Sequence, residues 1–212
     1  MTKPLFVTFE GGEGAGKTTL IRRLEKELNQ RRYPTLQTRE PGGSPLGEKI
    51  RQLLLEEDSC AKIGPLAELL LFLAGRAQHL EEVVRPALAE GKTVLCDRFN
   101  DSSVAYQGIA RGLGQTYVQT LCDQVCQGTT PDLTFFLDLD PGVGMERAAK
   151  QQRVMDRLEN EVGGFHEKVR GGFFKLAQEN PQRIWIIDAS ESPDTVFDQV
   201  WKILEGKLST HV

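Results

Sequence analysis

Residues 11–18 read Gly-Gly-Glu-Gly-Ala-Gly-Lys-Thr, and this octet constrains the chain more than any other feature. It fits G-x-x-x-x-G-K-[ST], with Gly11, Gly16, Lys17 and Thr18 at the fixed positions. The composition has a chemical reason. A phosphate must be met by several backbone N–H groups at once, and side chains on the loop would block that approach. Gly11, Gly12, Glu13, Gly14, Ala15, Gly16, Lys17, Thr18 and Thr19 are therefore the expected cradle for a nucleotide's phosphates. Lys17 supplies a point charge for the β- and γ-phosphates, and the Thr18 hydroxyl a ligand for Mg²⁺. The bland alternative is a glycine-rich turn that happens to precede Lys-Thr. The flanks argue against it. The apolar run Leu5–Phe9 enters the loop, and Lys17–Arg31 leaves it with Leu20, Ile21, Leu24 and Leu28 at helical spacing.

The same alternation continues along the chain. Thr35–Thr38, Thr93–Asp97, Leu133–Leu139 and Ile184–Asp188 read as further strands, Thr35–Thr38 being the weakest. Pro65–Ala89, bent or ended near Pro86, Gln115–Gln127, Gly142–Lys150, Phe165–Glu179 and Asp194–Leu208 read as helices. Strands alternating with helices predict an α/β fold with a largely parallel sheet. The 212 residues show no repeat and no linker, so one domain is expected, with the polar stretch 141–164 as a mobile lid. At 39% hydrophobic and 26% charged residues, the chain is neither low-complexity nor disordered. A net charge of −4 argues against bulk nucleic-acid binding. No apolar run has the length of a membrane span, and the N-terminus lacks a signal peptide's pattern, so a soluble cytoplasmic protein is expected. Cys60, Cys96, Cys122 and Cys126 read as reduced thiols; Cys122 and Cys126 have no second Cys or His pair beside them to make a zinc site.

The loop names a ligand class and not a reaction. Four constellations bear on the rest, each with a structural alternative. Asp97-Arg98 closes the third strand, where ligands of open α/β sheets collect. Asp97 can hold Mg²⁺ and Arg98 can clamp a second phosphate, or the two can be a strand-end ion pair. Arg39, in Thr38-Arg39-Glu40-Pro41-Gly42-Gly43, is a phosphate fork or part of an ordinary turn. Phe72 and Arg76 share a helix face, which suits base stacking and carbonyl recognition; Phe72 within Leu69–Leu73 suits a core equally. Arg147, Lys150, Arg153 and Arg157, against Asp156 alone, give residues 147–157 a charge of +3. That run is either a solvated face or a lid carrying charge onto a transferring phosphoryl group.

Together these residues resemble the thymidylate kinase family of nucleoside monophosphate kinases. The resemblance is carried by Phe9–Thr19, Thr38–Gly43, Leu71–Arg76, Asp97-Arg98, Ser102–Gly108, Pro131–Thr134, Asp156–Glu159 and Phe165–Arg170, in the family's order. It implies a phosphate-loop kinase fold with a five-stranded parallel sheet flanked by helices, a homodimer, and Mg-ATP-dependent conversion of dTMP to dTDP for DNA precursor supply. It also implies roles. Lys17 and Thr18 serve ATP and Mg²⁺, and Asp97 organises the metal. Glu13 contacts the acceptor's 3′-hydroxyl, and Arg39 and Arg98 hold its phosphate. Phe72 stacks on thymine, Arg76 bonds its carbonyl edge, and Ser103 and Gln107 lie near that edge. Tyr106 crowds the 2′ position. Phe99 and Phe173 depart from the polar residues that family members commonly carry there. The phosphate loop has no arginine, as in the bacterial-type subgroup, so the lid supplies the catalytic charge. Arg153 is the candidate, with Arg147 and Arg157 competing. The same reaction on another nucleoside monophosphate, or a non-catalytic nucleotide switch, are the rival readings.

Overall fold

A computed structural model describes residues 3–55, 62–150, 156–161 and 164–209. Its strands are β1 (Phe6–Gly11), β2 (Thr35–Arg39), β3 (Thr93–Asp97), β4 (Leu133–Asp138) and β5 (Ile184–Asp188). They form one five-stranded parallel sheet in the order β2-β3-β1-β4-β5. The helices are α1 (Lys17–Gln30), α2 (Pro45–Leu55), α3 (Pro65–His79), α4 (Arg85–Ala89), α5 (Asn100–Ser103), α6 (Gln115–Cys126), α7 (Pro141–Lys150), α8 (Phe165–Glu179) and α9 (Pro193–Ser209). The expected strands and helices are present with ends shifted by a residue or two.

Both faces of the sheet are covered, which is why its central strands read as continuous apolar runs. Val7, Phe9, Phe135 and Leu137 meet Leu20, Ile21 and Leu24 of α1 and Val200 and Leu204 of α9. On the other face Phe136 packs with Leu69 and Leu73 of α3, Val118 of α6 and Phe173 of α8. Each such fully buried Leu or Phe stabilises the fold by about 1.5–3 kcal/mol.

Two helical stretches were absent from the expectation, and one was differently built. Helix α2 follows Ser44, whose hydroxyl accepts the Gly47 N–H at 3.0 Å, and buries Ile50 and Leu54. Residues 100–110 are helical throughout, α5 running into a wide π-helical segment, Val104–Ala110, that packs on α8. There the Arg111 N–H bonds the carbonyl five residues back, Tyr106, at 2.8 Å. The stretch 65–89 does not break at Pro86. A π-helical segment, Leu80–Val84, joins α3 to α4 and the Arg85 N–H reaches the Leu80 carbonyl. The ladder has already shifted by one residue when Pro86, which has no N–H to give, enters the first turn of α4.

The strand order positions the site. It sets the carboxyl ends of β2, β3 and β1 side by side, with Arg39 paired to Asp97 and Asp97 paired to Phe9. The turn after each of these strands therefore opens onto one cleft.

Candidate active site

The cleft encloses about 390 Å³ and is lined by Glu13 to Thr19, Arg39, Phe72, Arg76, Asp97, Arg98, Ser103, Tyr106 and Gln107. Glu13 to Thr19, Arg39, Phe72, Arg76, Asp97, Arg98, Ser103, Tyr106 and Gln107, all singled out from the sequence, thus converge on one cavity, whereas Arg147, Lys150 and Arg157 do not line it. Gly11 and Gly12 sit behind it; their carbonyls accept from Lys17 Nζ at 3.1 and 2.8 Å. Arg153 lies outside the described residues.

Helix α1 starts from Gly16 in the left-handed region and has no side-chain cap, so its leading amides are left for an anion. Gly14 shows why the loop carries glycine. Its φ is +67°, and a Cβ there would stand 2.3 Å from the Gly144 carbonyl oxygen of α7. Backbone packs directly on backbone, fixing α7 against the loop. Burial pulls the Lys17 pKa down, with the charge of Arg98 acting in the same direction.

Asp97 and Thr18 set two hard oxygen donors of the kind Mg²⁺ prefers side by side at the cleft. Thr18 Oγ1 lies 3.4 Å from Asp97 Oδ2. Asp97 Oδ1 is buried and has no hydrogen-bond partner among the described residues, a costly arrangement for a carboxylate unless a cation meets it.

Arg98 bridges the two halves of the cleft. Its backbone sits at φ +69°, in the left-handed region, and its NH2 donates to Glu13 Oε1 at 2.5 Å. Its guanidinium lies 5.3 Å from the centre of the Tyr106 ring. Buried Glu10 braces this turn, accepting the Phe99 N–H at 2.8 Å and the Ser102 hydroxyl at 2.5 Å. Burial, with Asp101 next, pushes the Glu10 carboxyl up to about 8. Glu159 enters from the segment after the basic run. Burial, and then the charge of Glu13, push its carboxyl up to about 7. Burial raises the Tyr106 phenol to about 12, so it stays protonated at neutral pH.

Arg76 is almost wholly enclosed. Its Nε donates to Glu40 Oε2 at 2.7 Å, its NH2 to Ser103 Oγ at 3.0 Å, and its NH1 to Cys122 Sγ at 3.5 Å. Glu40 also holds His79 Nδ1 at 2.9 Å, and His79 Nε2 meets Thr38 Oγ1 at 2.7 Å. Phe72 is half-buried at the cleft wall, and its ring is no part of the enclosed core.

Arg39 stands at the rim, bonded to Glu48 at 3.0 and 3.2 Å. Beside it Arg51 of α2 lines the same cleft, a residue the sequence reading missed. Burial lowers the Arg51 pKa, and the charge of Arg39 lowers it further. Two neighbouring guanidinium groups that disfavour one another's charge suit a multiply charged anion. The signal was the start Ser44-Pro45 with Glu48 in the first turn, which announces α2 and puts Arg51 on it.

The two competing lid arginines lie outside the cleft lining, each bonded to a neighbouring element. Arg147 NH1 donates to the Ala189 carbonyl at 2.9 Å. Arg157 donates to the Leu54 carbonyl at 2.8 Å and to Glu68 at 2.6 Å. Each finds a fixed acceptor on a neighbouring element, a preference that the charge run alone did not reveal. Cys96, Cys122 and Cys126 are buried free thiols. Among the described residues no His/Cys/Asp/Glu group has the makings of a zinc site, and no helix is long and apolar enough to cross a membrane.

The thymidylate kinase family profile matches residues 9–200. The chain belongs to the thymidylate kinase family. A thymidylate kinase from Protochlamydia amoebophila is 50% identical, with 98% of this chain and 95% of that one aligned. One from Deinococcus radiodurans is 48% identical over 95% and 96% of the two chains. The crystal structure of thymidylate kinase from Ehrlichia chaffeensis superposes with a TM-score of 0.75 at 35% identity, covering 95% of this chain and 98% of that one. The family match spans both halves of the cleft, the phosphate loop and the pocket around Phe72, Arg76 and Tyr106.

Proposed function

We propose that the cleft transfers the γ-phosphoryl group of ATP in line to the 5′-phosphate of dTMP, giving ADP and dTDP. One observation carries this reading: a single cavity holds both a phosphate cradle, Gly14 to Thr19, and an aromatic and cationic pocket suited to a pyrimidine nucleotide. The acceptor phosphate oxygen is ionised near neutral pH, so no protein base is required. The protein's work is positioning and charge stabilisation. The loop amides and Lys17 hold the donor phosphates. Arg98, Arg39 and Arg51 hold the acceptor phosphate. Phe72 stacks on the base, while Arg76, Ser103 and Gln107 read its polar edge. Glu13 meets the sugar's 3′-hydroxyl, and Tyr106 fills the place of a 2′-hydroxyl. Thr18 and Asp97 hold Mg²⁺, which when bound neutralises charge on the donor phosphates. In this reading 141–164 forms a lid on a single domain, its described parts resting on the loop and on Glu68 in this structure, with Arg153 bringing its charge to the transferring group.

The working unit in this reading is a homodimer in the cytoplasm. Leu46 and Leu53 of α2 and Leu66 and Leu70 of α3 are 40–52% exposed, and the two helices pack on each other. That apolar surface suits a second copy of the chain. The buried thiols suit a reducing compartment. Sedimentation should give a two-chain mass, reduced to one chain by Leu70→Asp; a one-chain mass for the parent would remove the dimer.

The deciding experiment is ADP formation from Mg-ATP with dTMP, dUMP, UMP, CMP, GMP and AMP offered separately, and with no acceptor. Fast turnover with dTMP, dUMP being at most a weak second, is expected. Turnover with another acceptor would discard the base pocket. Hydrolysis independent of acceptor would favour the nucleotide switch.

A further inference from the structure

Glu68, on α3, is fully buried and takes no part in the chemistry proposed above. Its carboxylate is nonetheless held by three side chains. It accepts from Gln107 Nε2 at 2.9 Å, from Arg111 Nε and NH2 at 3.2 and 3.1 Å, and from Arg157 NH2 at 2.6 Å. Burial alone would raise this carboxyl; the bonds from Gln107, Arg111 and Arg157 outweigh it and hold it below the usual range. It is therefore ionised at neutral pH and offers only acceptor oxygens.

That fixes the polarity of a neighbour. A carboxylate can face only the NH₂ end of an amide, so Gln107 must turn its nitrogen to Glu68 and its carbonyl oxygen away. Gln107 lines the cleft. An amide carbonyl presented to a pyrimidine accepts from an imino N3–H. Thymine and uracil carry that hydrogen; cytosine has a bare acceptor at the same place. Glu68 also ties down one wall of the cleft. Arg157 carries Asp156, Leu158 and Glu159 with it, the Arg157 N–H bonds the Leu55 carbonyl at 3.1 Å, and Arg111 pairs with Glu161 at 2.6 Å.

We propose that Glu68 is a positioning residue for base recognition: it sets the orientation of the Gln107 amide and anchors the 156–161 wall beside it, and so selects a base with an N3–H. This rests on the reading that Gln107 faces the base of the acceptor nucleotide.

The test compares Glu68→Gln, Gln107→Ala and Arg157→Gln with the parent, using KM and kcat for dTMP and ATP and dissociation constants for dTMP and dCMP. Glu68→Gln keeps the side chain's shape but can donate as well as accept, which frees Gln107 to turn over. It should raise the dTMP KM roughly tenfold, the weight of one charge-assisted hydrogen bond. The preference for dTMP over dCMP should fall by a similar factor, with the ATP KM unchanged. A purely structural residue would weaken both pyrimidine nucleotides alike. Gln107→Ala separates the two ideas. If it leaves the preference intact, Gln107 does not read the base and the proposal falls with that reading. If it lowers the preference and Glu68→Gln does not, Glu68 alone is overturned. Arg157→Gln decides the matter should Glu68→Gln fail to fold. It should raise the dTMP KM several-fold with kcat within about twofold of the parent. An unchanged dTMP KM, or a kcat loss of two orders of magnitude, would overturn the anchoring role.

Discussion

Replacing Glu40 with Gln tests whether the acceptor pocket depends on a buried charge. The Glu40 and Arg76 side chains are 4% and 1% exposed, and their ion pair measures 2.7 Å. Gln has nearly the same shape. Its oxygen can still accept from Arg76 Nε, and its NH₂ can still meet His79 Nδ1 once the ring's proton moves to Nε2, where Thr38 Oγ1 can accept it. The hydrogen bonds survive, and the charge that balances Arg76 does not. Leaving one partner of a buried pair uncompensated costs about 3–5 kcal/mol. That is a large share of the roughly 5–15 kcal/mol that holds a domain folded. With a urea dependence of about 2 kcal/mol per molar, the unfolding midpoint should fall by about 2 M. Urea titration at pH 7 and fixed protein concentration measures this. Pairing Glu40→Gln with Arg76→Met should recover most of the loss, because the charge left unbalanced is then gone. A midpoint shift below about 0.5 M, or a double variant no better than the single one, would refute the argument that Glu40 serves Arg76.

Arg98→Ala should lower kcat at least a hundredfold while far-UV circular dichroism is retained, since it removes a cation joining the two halves of the cleft; normal turnover would remove Arg98 from the phosphate clamp. Glu10→Gln should gain stability relative to the parent as pH rises. The folded carboxyl is pushed up to about 8 by burial, then by Asp101. An unfolded chain's Glu titrates near ~4.3, so the folded state binds the extra proton and the parent loses stability between these values. Urea midpoints at pH 5 and pH 9 measure the effect, and parallel behaviour of the two proteins would contradict it. Gly14→Ala should both raise the ATP KM and lower the melting temperature, because φ is +67° and the new Cβ meets the Gly144 carbonyl at 2.3 Å. Unchanged values of both would show that the loop can part from α7.

How far the sequence could be read depended on how far apart the cooperating residues lie. The glycine-rich loop at the cleft was legible because its parts are local: β1, the loop and the start of α1 follow one another in the sequence. Asp97 and Arg98 were legible for a related reason, since a parallel sheet delivers a strand's last residues to the ligand edge. Helix α2 was readable in principle from Ser44-Pro45 and the spacing of Ile50 and Leu54. The run at 100–110 was not. Its π-helical turn adds a residue to each hydrogen-bonded ring, and the reward is packing on α8, where a Cβ at Gly172 would come within 3.1–3.3 Å of Ile109 and Ala105.

The basic run was the hardest case, because four cations in a row state a charge and leave the partner open. Arg157 became an anchor only because Glu68, 89 positions earlier, is held in its reach by the packing of α3. The same packing turns Arg76 from an arginine on a helix face into one committed to Glu40, Ser103 and Cys122. Side chains that line the cleft can thus be named from motifs. Those that hold them are set by carboxylates buried on other elements, Glu10 under Arg98, Glu40 under Arg76 and Glu68 under Gln107. A buried acid is among the least frequent residues in a core unless it is paired. Three of them beneath one cleft, each bonded to a group lining it or to the turn that carries one, indicate that the pocket's precision resides in this lower layer.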